Sequence, residues 1–483
     1  MGLAGILLGL AALMWLSFRG WSVLVLAPAA GLIAAMAAGE PLLAHWTQTY
    51  MGAAAGFLAQ FFPLFLLGAV FGKLMEDSGS VAAIATFMTE KLGAKRAILA
   101  VVLAGALVTY GGVSLFVAFF VIGPMAQALF RAADIPGRLM PAAIALGTST
   151  FTMTALPGTP AIQNAIPMPF FGTTPFAAPG LGIIAAAVML AFGLWWLARA
   201  EAAARRRGEG FGALAVAADQ AAEDPLVRER ASVAGTFDPP EVHRGRPSSD
   251  APGIAVAVAP LFVVVLVNLA MSMLVLPRLD TSFLAEERWG GIALSSVSGV
   301  WSVIVALASA IVVLVALNRG RLPALRASVD AGASASALPV LSVASLVGFG
   351  AVVAAMPAFA LVRDWVLSIG GGPLVSLAVS TNILAALTGS ASGGLTIALD
   401  ALGSAYVQLG AELGIDPALM HRVAVIGAGT LDSLPHNGAV VTLLAVCGAT
   451  HKQSYLDIVM VAIVGALIAL ATVIVLGSVF GSF

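Results

Sequence analysis

The stretch LDSLPHNG, at residues 431–438, places polar and helix-breaking residues in the middle of an apolar segment. RVAVIGAGT precedes it and AVVTLLAVCGAT follows it. Backbone groups in hydrocarbon have to be hydrogen-bonded, so a non-helical segment at membrane depth is stable only against protein or a watery cavity. The stretch therefore predicts the unwound middle of a membrane span that borders a cavity.

The composition of the whole chain is typical of a membrane protein. Its 483 residues are 60% hydrophobic and 10% charged, whereas a soluble domain carries about 25% charged residues. Apolar runs of about 20 residues recur along the chain. The sequence has no basic face with interleaved aromatic residues, so we expect the lipid bilayer as a partner and no nucleic acid. We therefore predict an all-α polytopic membrane protein.

The sequence divides into two similar halves. RAADIPGRLMPAAIALGTSTFTMTALPGTP (131–160) aligns with GAELGIDPALMHRVAVIGAGTLDSLPHNG (410–438), and TYGGVSLFVAF (109–119) aligns with SASGGLTIALD (390–400). The segment between the halves is charged and poor in large apolar residues, which is typical of a linker. We predict two membrane repeats separated by this linker, with the bounds 1–198, 199–250 and 251–483.

Each repeat is predicted to contain five transmembrane helices, one re-entrant hairpin and one discontinuous helix. The hairpins are expected at residues 97–129 and 372–409, and the discontinuous helices at residues 139–171 and 423–449. Residues 73–96 are expected to form a cytoplasmic loop. This plan accounts for every long apolar run in the sequence.

The distribution of Lys and Arg indicates that the two repeats are inverted. If both hairpins enter and leave the membrane on one face, the 23 Lys and Arg residues face the cytoplasm except for Arg278, Arg288, Arg363 and Arg422. This bias follows the positive-inside rule. It places both termini in the periplasm and the linker in the cytoplasm. Inverted repeats are typical of secondary transporters.

Each repeat has two places where a helix is not expected to continue. The predicted hairpin tips are TYGGVS (109–114) and TGSASGG (388–394), and the predicted breaks are GTSTFTMTALPGTP (147–160) and GAGTLDSLPHNG (427–438). Glycine permits tight turns and proline removes a backbone donor. Helices that begin after the tips would direct their positive ends at an anionic substrate, with hydroxyl donors beside them. The predicted substrate-binding residues are Thr109, Tyr110, Gly111, Gly112, Ser114, Thr148, Ser149, Thr150, Thr152, Thr154, Gly158, Thr159, Asn164, Thr388, Ser390, Ser392, Gly393, Gly394, Thr430, Ser433 and Asn437.

Asp432 and His436 are the candidates for proton coupling. An acid inside a span is unfavourable and is by default functional, and histidine changes charge in the physiological pH range. Their counterparts in the first half are Thr154 and Gly158, so the ionisable groups occur in one half only. The alternative is that Asp432 and His436, which are one helical turn apart, only neutralise each other.

Three other polar residues lie near these segments. Gln163 and Asn164 follow the first break, where they either reach the cavity or only cap backbone groups. His421 falls near the end of a span and is expected at the membrane interface.

With these elements on both halves, the chain resembles the gluconate permease (GntP) family of the ion transporter superfamily, and within it the permeases for hydroxy acids such as 3-hydroxybutyrate. The resemblance implies a dimeric symporter of the bacterial inner membrane, usually proton-coupled, with a scaffold domain and a transport domain that moves as an elevator. Gluconate permeases tend to have a Pro-Pro-His-Pro-Gly-Pro element where this chain has ALPGTP, which favours an acid smaller than gluconate. The matching stretches are LLGAVFGKLMEDSGS (66–80), TYGGVSLFV (109–117), ADIPGRLMPAAIALGTSTFTMTALPGTPAIQNAIP (133–167), LTGSASGGLTIALD (387–400) and GTLDSLPHNGAVVTLLAVC (429–447).

The sequence thus predicts a secondary active symporter, not an enzyme, that imports 3-hydroxybutyrate, gluconate or a related sugar acid together with protons. No metal or other cofactor is expected. Sodium coupling is an alternative, since residues 147–154 and 390–392 offer hydroxyls and carbonyls of the kind that hard cations accept. An intramembrane hydrolase is a remote alternative, because Asp432, Ser433 and His436 stand together but the G-x-S-x-G element is missing.

Overall fold

The protein is described from a computed structural model that covers residues 2–19, 21–212, 238, 241, 244–248 and 250–483. Within these ranges, every regular element is a helix. Seven of the helices are long and apolar enough to cross a membrane, and the number rises to eight if one bent pair counts as a single span. The predicted all-α class is therefore confirmed.

The first half of the chain forms helices of very different lengths. The helices are α1 (Gly2–Phe18), α2 (Val23–Ala38), α3 (Leu42–Asp77), α4 (Ser80–Leu92), α5 (Ala97–Tyr110), α6 (Leu115–Ala132), α7 (Met140–Thr148), α8 (Phe151–Thr154), α9 (Ile162–Ala165), α10 (Pro167–Phe171) and α11 (Pro179–Arg206).

The second half follows a similar order of long and short helices. The helices are α12 (Ile254–Arg278), α13 (Ser298–Leu317), α14 (Leu325–Ala355), α15 (Phe359–Leu367), α16 (Pro373–Thr388), α17 (Ala391–Leu413), α18 (Pro417–Thr430), α19 (Gly438–Val446) and α20 (His451–Phe480).

The segment at residues 73–96 is largely helical, so the prediction of a loop there is wrong. α3 continues to Asp77, Gly79 turns the chain with φ +74°, and α4 follows. α4 buries Val81 on one side and carries polar residues on the other, so its mean hydropathy is too low to indicate a span. It meets the helix that contains α5 at an angle of 100°.

The two longest helices in the described ranges, α3 and α14, pack against each other in opposite directions. Gly332, near the start of α14, lies where a Cβ would be 2.6 Å from the Cα of Val70, near the end of α3. Gly348, near the end of α14, lies where a Cβ would be 2.8 Å from the ring of Tyr50, near the start of α3. The two glycines allow this close approach of the helices.

The other long helices surround this pair. α1 packs on α2 and α12 on α13, while α2 contacts α14 and α13 contacts α3. α5 packs on α7 as α16 packs on α18, and α11 packs against α20. Similar contacts therefore occur in both halves of the chain.

The predicted linker contacts the helices at both of its ends. Its first residues continue α11 as far as Arg206, and residues 213–237 lie outside the described part of the chain. Near its other end, the N–H of Ser248 donates to the carbonyl of Asp77 at 2.8 Å. Gly245 packs against the buried ion pair of Lys73 and Asp77, in which Nζ of Lys73 lies 3.0 Å from Oδ1 of Asp77. The linker's carboxyl end is therefore packed onto the end of α3.

Candidate functional site

The break predicted at residues 147–160 is present. α7 ends at Thr148, one turn of helix forms α8, and a non-helical segment leads to α9. Pro157 has no N–H to donate. Gly158 has φ +80°, and a Cβ there would lie 2.5 Å from the ring of Phe176. The chain therefore cannot continue as a helix through this segment.

The break predicted at residues 427–438 is also present. α18 ends at Thr430, and a 3₁₀ turn at Leu431–Ser433 follows it. Pro435 lacks a backbone donor. The chain becomes helical again after Asn437, whose Oδ1 caps α19 by accepting a backbone N–H at 2.7 Å.

Short turns join α5 to α6 and α16 to α17, which are the predicted hairpin tips. In the first tip, Gly112 has φ +99°, and the Ser114 hydroxyl accepts a hydrogen bond from the backbone of α6 at 3.3 Å. In the second tip, Gly389 has φ +63°, and the Ser390 hydroxyl accepts one from the backbone of α17 at 3.1 Å. Both tips thus end in a capped helix amino terminus.

The first tip is attached to the first break. The hydroxyl of Tyr110 donates to the carbonyl of Pro157 at 2.8 Å. The hydroxyl of Thr109 also lies 3.4 Å from the carbonyl of Gly147. These bonds use carbonyl groups that an interrupted helix leaves without partners.

The second tip is attached to the second break in the same manner. The Nδ2 group of Asn437 donates to the carbonyl of Gly389 at 2.8 Å. The Nε2 atom of His436 lies 3.0 Å from the carbonyl of Ala386, in the last turn of α16. Both residues therefore hold the tip against the break.

The half-buried carboxyl group of Asp432 also contacts the second tip. It accepts a hydrogen bond from the backbone N–H of Ala391, at the amino end of α17, and a second one from Asn437 Nδ2 at 2.6 Å. An anion is stabilised at a helix amino terminus by the helix dipole and its free N–H groups.

The two breaks face each other in the interior. Gly429, in the second break, packs so closely on Thr154 in the first break that a Cβ would collide with its methyl group. The guanidinium group of Arg422 donates to the carbonyl of Thr154 at 2.9 Å. The first and second halves of the chain therefore meet at their interruptions.

His421 and Arg422 are both fully buried, so the prediction that His421 lies at the membrane interface is wrong, whereas the periplasmic side predicted for Arg422 stays a prediction. Arg422 donates to the carbonyl of Ala177 at 2.6 Å. His421 lies 2.6 Å from the hydroxyl of Thr173 and 3.2 Å from Oδ1 of Asn164. Within the described ranges, no carboxylate lies within ion-pair distance of Arg422, so the carbonyl groups of Thr154 and Ala177 solvate its charge.

Two adjoining cavities lie between these elements. The first has a volume of about 50 Å³ and lies against the first tip and residues 160–163. The second has a volume of about 20 Å³ and touches both breaks and Ala391 of the second tip. Leu115, Met153 and Gln163 line both cavities and separate them.

Both cavities contain very little space. A cavity of roughly 10–15 Å³ holds a single water molecule, whereas pockets for organic ligands usually enclose about 300–1,000 Å³. A carboxylate of several carbon atoms would therefore require the tips and breaks to move apart.

Part of the predicted substrate site lines these cavities. The predicted residues at the first cavity are Thr109, Gly112 and Ser114, and those at the second cavity are Ser149, Thr154, Asp432, Ser433 and Asn437. The other predicted residues hydrogen-bond or pack against the tips, the breaks or the neighbouring helices; they include Tyr110, Gly111, Gly158, Thr159, Asn164, Ser390, Ser392, Gly393, Gly394 and His436.

Most of the predicted threonine hydroxyl groups have no proton left to donate to a ligand. Each donates its single proton to a backbone carbonyl about one helical turn back, as Thr150 does to Leu146 at 2.7 Å. Only the oxygen lone pairs then remain for a ligand. The threonines concerned are Thr109, Thr148, Thr150, Thr152, Thr154, Thr388 and Thr430.

Three comparisons relate this chain to known proteins. The profile of a family described as GntP family permease matches residues 1–171. The chain is 40% identical over 460 residues to the uncharacterized transporter YxjC of Bacillus subtilis (strain 168), and the match covers 94% of each protein. Its fold is similar to that of the crystal structure of the Alcanivorax borkumensis YdaH transporter, with a TM-score of 0.51, 16% identity, and coverage of 91% of this chain and 88% of that one.

Proposed function

Because the chain belongs to the GntP permease family and is a multi-pass membrane transporter, we propose that it is a symporter that imports a small hydroxy-carboxylate together with protons. The observation that carries the proposal is the meeting of two interrupted helices and two hairpin tips around two small cavities. Irregular backbone of this kind lies at the substrate and ion sites of secondary transporters. The ionisable groups Asp432 and His436 lie in the second break, and their counterparts in the first break are not ionisable.

The proposal includes two inverted repeats, at residues 1–198 and 251–483, joined by the linker at 199–250. The opposite directions of α3 and α14 support it, since these helices occupy equivalent places in the two halves. A second support is a pair of glycine contacts. Gly147 of α7 packs on the backbone of α5, and Gly427 of α18 packs on α16.

The substrate carboxylate would be bound by backbone N–H groups at the amino end of α6, because the N–H of Ala391 at the amino end of α17 already donates to Asp432. A helix amino end carries partial positive charge, and that of α6 borders the first cavity. Four threonine hydroxyl groups of the first break already donate to carbonyls, so they are less suitable for binding the carboxylate.

Protonation of Asp432 would control the second tip. The ionised carboxyl group accepts hydrogen bonds from Ala391 and Asn437, and a charged acceptor makes stronger bonds than a neutral one. Protonation would weaken both bonds and loosen the start of α17. Protonation would in this way change the tip that borders the second cavity. His436 would take part from the carboxyl end of α16, where a helix stabilises positive charge.

We extend the proposal to the whole transporter on the basis of family resemblance. It would be a homodimer in the bacterial inner membrane, with both termini in the periplasm and the linker in the cytoplasm. The helices α1–α3 and α12–α14 would form the scaffold. The hairpins and interrupted helices would move against this scaffold as an elevator.

Sodium coupling is the second candidate, and one observation favours it. The threonine hydroxyl groups around α7 and α8 donate their protons to carbonyls, so that their oxygen atoms can only accept, and hard cations are coordinated by oxygen acceptors. A sodium ion in this place would bind to the first break and not to Asp432.

Uptake into proteoliposomes tests the proposal and separates the two coupling ions. The purified protein is reconstituted, and labelled 3-hydroxybutyrate is offered with an inward proton gradient or with an inward sodium gradient at equal pH. We expect accumulation above equilibrium with the proton gradient only. Accumulation that requires sodium, or no accumulation with either gradient, would overturn the proposal of proton symport.

A further inference from the structure

Gln163 is a buried amide without a partner in the described part of the chain. It lies in α9, directly after the first break, and its side chain is 3% exposed. Its Oε1 atom accepts no hydrogen bond from any residue in the described ranges. Buried polar groups are normally satisfied, so an unsatisfied amide beside a cavity indicates a place for a ligand.

The amide group of the neighbouring residue, Asn164, is by contrast hydrogen-bonded at both its nitrogen and its oxygen atom. Its Nδ2 group donates to the carbonyls of Thr159 at 3.0 Å and Pro175 at 3.1 Å, and its Oδ1 accepts from Arg422 at 3.3 Å. Asn164 therefore fixes the first break, and its amide has no capacity left for a ligand. Of the two adjacent amides, only Gln163 lines the cavities.

The position of Gln163 restricts which part of a substrate it can meet. Gln163 lines both cavities and belongs to the partition between them. The first cavity contains Ser114 at the amino end of α6, which favours an anion. The second contains Asp432, which repels an anion when it is ionised. A substrate carboxylate is therefore favoured in the first cavity, and Gln163 would meet a group farther along the molecule.

We propose that Gln163 binds the hydroxyl group of the substrate and makes the transporter select hydroxy acids over unsubstituted acids; this inference rests on the proposed function. An amide offers one donor group and one acceptor, and a hydroxyl group offers the same pair. A site that is built to hydrogen-bond a hydroxyl group rejects the analogue that lacks it, because the buried polar group of the protein is then left unpaired.

Competition for uptake tests the inference. Labelled 3-hydroxybutyrate is taken up by proteoliposomes while unlabelled 3-hydroxybutyrate or butyrate competes. We expect the wild type to need at least tenfold more butyrate for half inhibition. In Gln163→Met, which keeps the volume of the side chain, we expect the KM for 3-hydroxybutyrate to rise at least tenfold and the preference over butyrate to disappear. Gln408→Met, at an exposed position of α17, is the matched control and should behave as wild type.

The outcomes separate this inference from the proposed function. If wild type accumulates 3-hydroxybutyrate and folded Gln163→Met keeps its preference over butyrate, the inference is wrong and the symporter proposal stands. If wild type accumulates no hydroxy acid, both are wrong. Gln163→Asn, which keeps the amide but withdraws it by one methylene group, should show a partial loss of preference, and it replaces Gln163→Met if that variant does not fold. An unchanged preference in Gln163→Asn would then overturn the inference.

Discussion

Asn437 donates to Asp432 at 2.6 Å and, through the same Nδ2 group, to the carbonyl of Gly389 at 2.8 Å. One amide thus connects the candidate proton site to the second hairpin tip. Its Oδ1 atom also caps α19. Asp432, the tip and the helix that follows the break are therefore held by a single side chain.

Replacement of Asn437 should uncouple the tip from Asp432. We expect Asn437→Ala to lower the uptake rate at least tenfold, because the tip loses its bond and the carboxyl group loses a donor. The loss of the helix cap alone should cost about 1 kcal/mol of stability. Initial uptake rates and thermal unfolding of the purified variant measure the two effects.

Asp416→Ala is the matched control for this experiment. Asp416 caps α18 by accepting the N–H of Ala418 at 2.7 Å and lies on the exposed surface. Its loss should lower stability to a similar extent and leave transport intact. Equal loss of transport in both variants would contradict a special role of Asn437.

Asp432→Asn should abolish accumulation driven by a proton gradient but allow exchange. An asparagine side chain is neutral like the protonated carboxyl group, so the second tip can still loosen for exchange of substrate, but asparagine cannot release a proton. We expect counterflow of labelled substrate to persist at roughly the wild-type rate. Asp364→Asn, at an exposed position of α15, is the control and should accumulate substrate normally. Gradient-driven accumulation in Asp432→Asn would show that the proton is carried elsewhere.

The sequence predicted the backbone of the site better than its side-chain contacts. The breaks and tips were predictable because proline and glycine act locally, as Pro435 and Gly112 do. The helical structure of α4 was not predicted because only a few apolar residues lie on its buried side. The partners of Arg422 could not be predicted, since they come from segments that are distant in the chain, and the unsatisfied amide of Gln163 depends on how the first break folds.

Arg422 should be required for the fold of the first break. Its guanidinium group contacts the carbonyls of Thr154 and Ala177 and the side chain of Asn164. A lysine ammonium group is a compact point charge and lacks the planar fork that reaches several carbonyls at once. We expect Arg422→Lys to lower the melting temperature by several degrees and to reduce transport by more than half.

Arg326→Lys provides the comparison, because the side chain of Arg326 is 96% exposed. It should unfold at the wild-type temperature. Thermal unfolding in detergent, followed by intrinsic fluorescence, measures both variants. A melting temperature of Arg422→Lys within one degree of wild type would contradict the role assigned to Arg422.

Gly147 and Gly427 should respond alike to substitution, because each lets an interrupted helix lie directly on the first arm of a hairpin. A Cβ at Gly147 would collide with the carbonyl of Val102, and a Cβ at Gly427 with the hydroxyl of Thr381. Overpacking of this kind destabilises by about 1–3 kcal/mol. We expect Gly147→Val and Gly427→Val each to lower the melting temperature and to stop uptake.

Gly52→Val is the control, because a Cβ at Gly52 in α3 would have no neighbour within 4 Å. It should fold and transport as wild type does. Similar losses in Gly147→Val and Gly427→Val, with none in Gly52→Val, would support an equivalent helix contact in each repeat. If one of the two glycines tolerates valine without loss of stability or uptake, the contacts are not equivalent, and the proposed symmetry of the two halves does not extend to the packing of their hairpins.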